Sequence, residues 1–252
     1  MRVRADLALL AAALASGLTA SCSSTEAPDD TTTVLTVSAA ASLTDAFTEI
    51  GDAYTSEHPD TRVRFNFAGS STLAEQISAG APVDVFAAAS PAAMQTAVGA
   101  GTVRDPMLFT ANSLAIAVPA GNPADVATLA DLTRDDVTVI VCATTVPCGA
   151  ATEDLFRANG LDVAPASLEP DVRAVLTKVV ADEADAGVVY RTDVIAAGQD
   201  VEGISIPDDA NVVNDYPIAV TVDAPAEAQA FVDFVLGDKG QEILGAWGFA
   251  SP

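Results

Sequence analysis

An α/β fold, with a mostly parallel sheet and helices on both faces, is predicted by three features of the chain. Apolar runs of strand length alternate with stretches whose apolar residues recur at helical spacing. Small residues, glycine and proline punctuate the passages between them. The first elements follow in the order βαβαβα, which suits parallel strands because each return needs a crossover. At 252 residues, half of them hydrophobic, the chain buries a sizeable core as one large domain or two smaller ones.

Each element has its own warrant. Val34 to Val37 reads as a strand, and Ser38-Ala39-Ala40-Ala41-Ser42 turns it into a helix with apolar Leu43, Ala46, Phe47, Ile50 and Tyr54. Ser42 is placed as that helix's N-cap. Val63 to Phe67 is a second strand, Ala68-Gly69-Ser70-Ser71-Thr72 a turn, and Leu73 to Ala79 a short helix. Thr72 and Glu75 have the spacing of a capping box there. Gly80-Ala81-Pro82 breaks that helix, Val83 to Ala87 is a third strand, and Pro91 opens a helix to about Val98. Ser113 to Val118 is an apolar strand closed by Pro119-Ala120-Gly121-Asn122-Pro123, and Leu129 to Leu132 a short helix. Val137 to Val141 is a strand running into Cys142 to Gly149, followed by a helix over Ala150 to Asn159. Pro170-Asp171-Val172-Arg173 opens a helix with Val172, Val175, Leu176, Val179 and Val180 on its apolar side. Ala186 to Tyr190 is a buried strand, and Arg191-Thr192-Asp193 caps the next helix. Tyr216 to Val222 is a strand, and helices over about Pro225 to Leu236 and Lys239 to Ala246 close the chain.

Charge and composition exclude several classes. The formal net charge of −24 argues against nucleic acid and against a basic membrane-binding surface. A small anion stays open, because local dipoles decide a buried site. The single histidine, His58, sits in a turn of polar residues, Ser56 to Asp60. No G-x-S-x-G elbow marks Ser42 or Ser70 as a nucleophile, and there is no P-loop and no G-x-G-x-x-G. The acids are scattered, and the three tyrosines are isolated, which counts against a phenolate iron site.

The first residues read as an export signal. Arg2 and Arg4 form a basic start, and Leu7 to Ala15 is apolar but too short to span a bilayer. Thr19-Ala20-Ser21-Cys22 resembles a lipoprotein signal, in which the cysteine is acylated and becomes the mature N-terminus. It departs from the usual motif in having Thr19 where a leucine is common. Residues 1–21 are then a signal peptide, and 22–33 a polar tether from a lipid anchor at Cys22. Plain secretion, with cleavage near Ala20 or Ser21, is the alternative. In the oxidising compartment that follows, the remaining cysteines, Cys142 and Cys148, are expected to form a disulfide.

Four helix starts present hydroxyls or free N–H groups: Ser42, Gly69-Ser70-Ser71, Pro147-Cys148-Gly149 and Asp171-Val172. With Tyr190 at a strand end they are candidates to converge at the carboxyl edge of the sheet, where α/β proteins hold ligands. Such a site is built of neutral donors.

Five stretches then carry a resemblance. They are Ala39 to Thr44, Phe67 to Leu73, Gly80 to Phe86, Asp171-Val172-Arg173 and Gly187 to Tyr190. In order and content they resemble the motifs of the molybdate-binding proteins of ABC importers, over about Val34 to the end. The resemblance implies a two-lobed periplasmic-binding-protein fold of the kind with two interlobe crossings. It places residues 34–112 plus 218–252 in the first lobe and 113–217 in the second. It implies a tetrahedral oxyanion, molybdate and with it tungstate, held between the lobes without catalysis or cofactor. Ser42 and Ser70 would give hydroxyl and backbone donors, Cys148 and Val172 backbone N–H groups, and Tyr190 its phenol. The implied partner is an ABC permease, the implied state a monomer outside the cytoplasmic membrane. Two departures stand out: Cys148 where the family often has alanine, and Ser90 where it often has aspartate. Arg191, directly after Tyr190, is expected to be a solvated surface residue. Sulfate or thiosulfate is the alternative ligand, and an enzyme on the same fold the rival class.

Overall fold

The computed structural model describes residues 32–251, so the signal peptide, Cys22 and the tether up to residue 31 lie outside the described residues. The chain runs β1 (Thr33–Ala40), a 3-10 turn (Ala41–Leu43), α1 (Thr44–Glu57), β2 (Thr61–Ala68), α2 (Ser70–Ser78), β3 (Val85–Ala87) and α3 (Pro91–Gly99). After these come β4 (Val103–Pro119), a second 3-10 turn (Leu129–Thr133), β5 (Val139–Cys142), α4 (Pro147–Ala158), β6 (Ser167–Glu169) and α5 (Val172–Val180). The last elements are β7 (Ala186–Tyr190), α6 (Arg191–Ala197), a third 3-10 turn (Gly198–Asp200), β8 (Val201–Ser205), β9 (Val213–Thr221), α7 (Ala226–Leu236) and α8 (Asp238–Ala246).

The strands lie in the order β2-β1-β3-β9-β4-β7-β5-β6, with β8 also on β4. The β1–β2, β1–β3, β5–β6 and β5–β7 pairs are parallel. The pairs made by β4 and β9, including those with β3, β7 and β8, are antiparallel. The fold is therefore a mixed α/β one: two parallel cores, each extended by long strands that pass from one to the other.

β4 is the main connector. At 17 residues it is about three times a common strand length. Its first part pairs with β9, and its end with β7 and β8. The sequence predicts only Ser113 to Val118 as strand, whereas the structure extends it back to Val103 through Asp105-Pro106, a pair that commonly breaks a strand. The ladder tolerates it through an irregularity between Arg104 and Met107, with Asp105 in the left-handed region at φ 48°. The short strand β6 and the mostly exposed β8 were not anticipated; neither carries a long apolar run.

Apolar side chains gather in three clusters. One contains residues such as Ile116, Leu155, Val175, Val188 and Tyr190. Two others cover opposite faces of the β1–β3–β9 sheet, around Phe47, Tyr216 and Phe231 on one side and Leu73, Phe86 and Met94 on the other. β1 is paired on both edges, and its second half, Val37 to Ala40, is fully buried, as suits the inner strand that leads into the site.

Three helix starts differ from the sequence reading. Ser42 is not an N-cap: it lies inside the 3-10 turn, and α1 begins at Thr44 with no side-chain cap. Its hydroxyl is engaged elsewhere, as described below. Thr72 does not cap α2, which starts two residues earlier at Ser70 with Gly69 as N-cap. α4 starts at Pro147 rather than Ala150, because proline suits the first helical position. Ser90 N-caps α3, its Oγ accepting from the Ala93 N–H at 3.2 Å.

Candidate functional site

Ser42, Ser70, Cys148, Val172 and Tyr190 line one cavity, together with Gly69 and Asp171. The chain delivers them through the ends of separate elements. Ser42 sits in the 3-10 turn before α1, Ser70 opens α2, Cys148 is in the first turn of α4, Val172 opens α5, and Tyr190 ends β7. All five are nearly inaccessible, none more than 4% exposed. First-turn N–H groups have no intrahelical acceptor, and each helix start adds a partial positive charge. Helix starts converging on one point make that point favourable for an anion.

The cavity is small, about 10 Å³. Asp171 is the lining residue with a carboxylate. Its Oδ1 accepts from the Ala174 N–H at 3.0 Å as the N-cap of α5, so that acceptor is already used. Arg191 is exposed and does not line the cavity. His58 is also exposed and stacks on Tyr54, ring centroids 4.3 Å apart.

The hydroxyls are held from behind. Ser70 Oγ accepts from the Ala89 N–H at 3.0 Å, which leaves its proton free. Ser42 Oγ lies 2.9 Å from the Tyr216 hydroxyl. Tyr190's hydroxyl accepts from Asn214 Nδ2 at 2.9 Å. Burial, and then nearby charge, pushes the Tyr190 phenol well above its ordinary value, so it keeps its proton near neutral pH. Burial raises Tyr216 as well. The sequence reading missed Tyr216, Asn214 and Asn112. Tyr216 appeared only as the first residue of a strand, and nothing local marked the asparagines.

The two halves touch beside the cavity. Ser71 Oγ donates to the Thr145 carbonyl at 2.7 Å. Arg173 on α5 pairs with Asp45 on α1, and its Nε lies 3.0 Å from Asp193 Oδ1. That last contact is close enough for charge attraction, though not aligned as a hydrogen bond. Asp193 is fully buried, and its Oδ2 accepts from the Tyr190 N–H at 3.0 Å. The acid therefore holds the residue that supplies the phenol.

Cys142 and Cys148 are disulfide-bonded, their Cα atoms 5.8 Å apart. The bond ties the end of β5 to the first turn of α4. Gly149 lets that turn sit down on the chain, since a Cβ there would meet the Ala143 carbonyl oxygen at 1.9 Å. Chain entropy for so short a loop gives about 2 kcal/mol. Replacing both cysteines by serine is expected to lower unfolding free energy by about that amount and to loosen the Cys148 N–H. Chemical denaturation with a parallel binding titration checks both, and unchanged stability would contradict it.

Among the described residues no group of three or more His, Cys, Asp or Glu is arranged to hold a metal ion. No described helix is long and apolar enough to cross a membrane.

Comparison with known proteins agrees with this geometry. The family model described as bacterial extracellular solute-binding protein matches residues 35–250. The molybdate-binding protein ModA of Mycobacterium tuberculosis is 41% identical over 247 residues, covering 97% of this chain and 95% of that protein. ModA of Escherichia coli is 33% identical, covering 85% of this chain and 88% of the relative. Among solved structures, the periplasmic molybdate-binding protein of Azotobacter vinelandii aligns with a TM-score of 0.75 at 18% identity, over 86% of this chain and 99% of that one. At that identity the alignment speaks for the two-lobed fold alone.

Proposed function

This chain belongs to the family of bacterial extracellular solute-binding proteins, and from that premise we propose that it captures molybdate, and with it tungstate, for an ABC importer. The observation that carries the reading is the convergence of helix starts and proton-bearing hydroxyls on a small cavity whose lining carboxylate is already engaged. Molybdate at neutral pH is a dianion without protons, so it needs donors only. Ser42, Ser70 and Tyr190 supply hydroxyls in this reading, and Cys148 and Val172 backbone N–H groups. The protein has no catalytic role in it: the cavity offers neither a free base nor a nucleophile paired with one.

The rest of the proposal concerns context. The lobes are residues 34–112 plus 218–252, and 113–217, with β4 and β9 as the crossings. Residues 1–21 direct export, Cys22 carries a lipid anchor, and the mature protein works as a monomer that delivers its ligand to a membrane permease.

Size separates molybdate from sulfate, which has the same shape and charge. Donors fixed on helix ends of two lobes meet the larger anion at about 2.7–2.9 Å. Around sulfate they are stretched, and each poorly made bond costs about 1–3 kcal/mol. Calorimetry of the ligand-free protein against molybdate, tungstate, sulfate and thiosulfate tests the assignment. Molybdate and tungstate should bind about equally, and sulfate more weakly by several powers of ten. Ser42→Ala and Ser70→Ala should each weaken molybdate about 10- to 100-fold, since a hydrogen bond to a charged group contributes about 1.5–3 kcal/mol. Sulfate displacing molybdate at comparable concentration overturns the ligand assignment.

A further inference from the structure

The crossing strands carry one asparagine each, and the two are register partners, Asn112 on β4 opposite Asn214 on β9. Both are buried. Each amide is oriented by a group with a single hydrogen-bonding role. Asn214 Nδ2 lies 3.0 Å from the Ala89 carbonyl oxygen, which only accepts. The nitrogen edge therefore faces that way, and its other N–H reaches the Tyr190 hydroxyl at 2.9 Å. Asn112 Oδ1 accepts at 3.0 Å from the Ser113 N–H, which only donates. Its nitrogen edge thus meets Thr192 Oγ1 at 2.8 Å and the Tyr216 hydroxyl, more weakly, at 3.5 Å.

An amide N–H cannot accept, so these contacts set the direction of the protons beyond them. Tyr190's oxygen takes the Asn214 hydrogen, which turns the phenol's one proton away from Asn214. Either oxygen can be the donor between Tyr216 and Ser42 Oγ, 2.9 Å apart, and the Asn112 hydrogen reaching the Tyr216 oxygen at 3.5 Å favours Tyr216 as that donor. The Ser42 proton is then left for the cavity.

We propose that Asn214, supported by Asn112 on the paired strand, is a positioning residue that turns the site's hydroxyl protons toward the ligand and so selects oxyanions that carry no proton. The proposal rests on the anion-capture reading above. A ligand that keeps a proton, such as hydrogen phosphate, would bring a donor against donors, and a hydrogen bond lost in a buried site is costly.

The test titrates molybdate and phosphate against folded wild type, Asn214→Leu, Asn214→Asp, Tyr190→Phe and the double variant Asn214→Leu/Tyr190→Phe, with a separate thermal melt of each to show that it folds. Asn214→Leu and Tyr190→Phe should each weaken molybdate about tenfold or more. The double variant should be no weaker than Tyr190→Phe alone, because both act through one hydroxyl. In Asn214→Asp the carboxylate only accepts and draws the phenol proton to itself. Its phosphate-to-molybdate affinity ratio should rise at least tenfold, a change that looser packing would not produce. If Asn214→Leu fails to fold, the near-isosteric Asn214→Asp in both Tyr190 backgrounds completes the cycle. Additive losses, or an unchanged ratio in Asn214→Asp, overturn the proposal while leaving molybdate capture intact. Wild-type protein that does not bind molybdate overturns the functional reading itself, and this one with it.

Discussion

Replacing Gly69 by valine is expected to weaken anion binding about 100-fold while leaving the ligand-free protein as stable as wild type. Gly69 is not a conformational requirement: at φ −58° and ψ 130° its backbone is one that other residues adopt freely. What the position requires is space. A Cβ there would lie 2.6 Å from the Pro170 carbonyl oxygen and 3.4 Å from Val146 Cγ1. Gly69 precedes α2, whereas Val146 and Pro170 precede α4 and α5, so this contact exists only where the two halves meet. In the two-lobe reading proposed above, the clash falls on the closed arrangement alone. Overpacking against a backbone carbonyl, which cannot swing aside, costs about 1–3 kcal/mol. Valine, with its branched methyls, belongs at the upper end, and the penalty appears as a reduced fraction of binding-competent protein. Alanine should give a smaller loss. Calorimetry for affinity and small-angle scattering for closure check the expectation. Valine binding like wild type would mean that the bound state does not use this approach.

The second large effect is on stability. Arg173→Met should cost about 2 kcal/mol at pH 7.5, because stripping the cation from a fully buried carboxylate forces Asp193 to take up a proton, at about 1.4 kcal/mol for each pH unit above its folded value of about 6. Burial pushes the Asp193 carboxyl up to about 6 from an ordinary 3.8, while Arg173 and the Tyr190 N–H restrain the rise. An acid whose folded-state value is raised binds more protons folded than unfolded. Its ionisation therefore lowers stability as pH rises through the window from 3.8 to about 6. Without Arg173 the folded value climbs further, so the variant is penalised at pH 7 more than wild type. Once pH falls below about 6, Asp193 is protonated in wild type too, and the gap between the two should shrink. Denaturant unfolding at pH 7.5 and at pH 5 reads this directly, to about the 1–2 kcal/mol such comparisons resolve. A gap that does not change with pH would show that Arg173 acts by packing and not by charge. The same arginine pairs with Asp45 on the facing half, so the variant should also bind its ligand more weakly.

Much of this molecule is legible residue by residue. Ala186 to Tyr190 is a strand over those same residues, because a five-residue apolar run between polar segments has few other uses. Pro91 and Pro147 mark helix starts through a fixed φ and a missing N–H. Ser42, Ser70, Cys148, Val172 and Tyr190, which line the cavity, were named from helix starts and one strand end, whereas Ala89, which lines it too, was not. Capping was less legible: hydroxyls at Ser42 and Thr72 fit N-cap spacing equally well, and neither caps. Ser42 turns to Tyr216, a partner 174 positions away that no local pattern announces.

The sequence by itself determined the alternation of elements, the donor chemistry of the helix starts and the two cysteines available to pair after export. These depend on spacing within a few residues, which periodicity and side-chain chemistry encode. Tertiary structure alone decided which groups stand behind the donors and which cross between the halves. Asn112 meets Asn214 only through the register of β4 on β9, and Arg173 meets Asp45 across 128 positions. Apolar period tells which face a residue presents but not what faces it, because long-range pairing is set by packing of whole elements rather than by any neighbour in the chain.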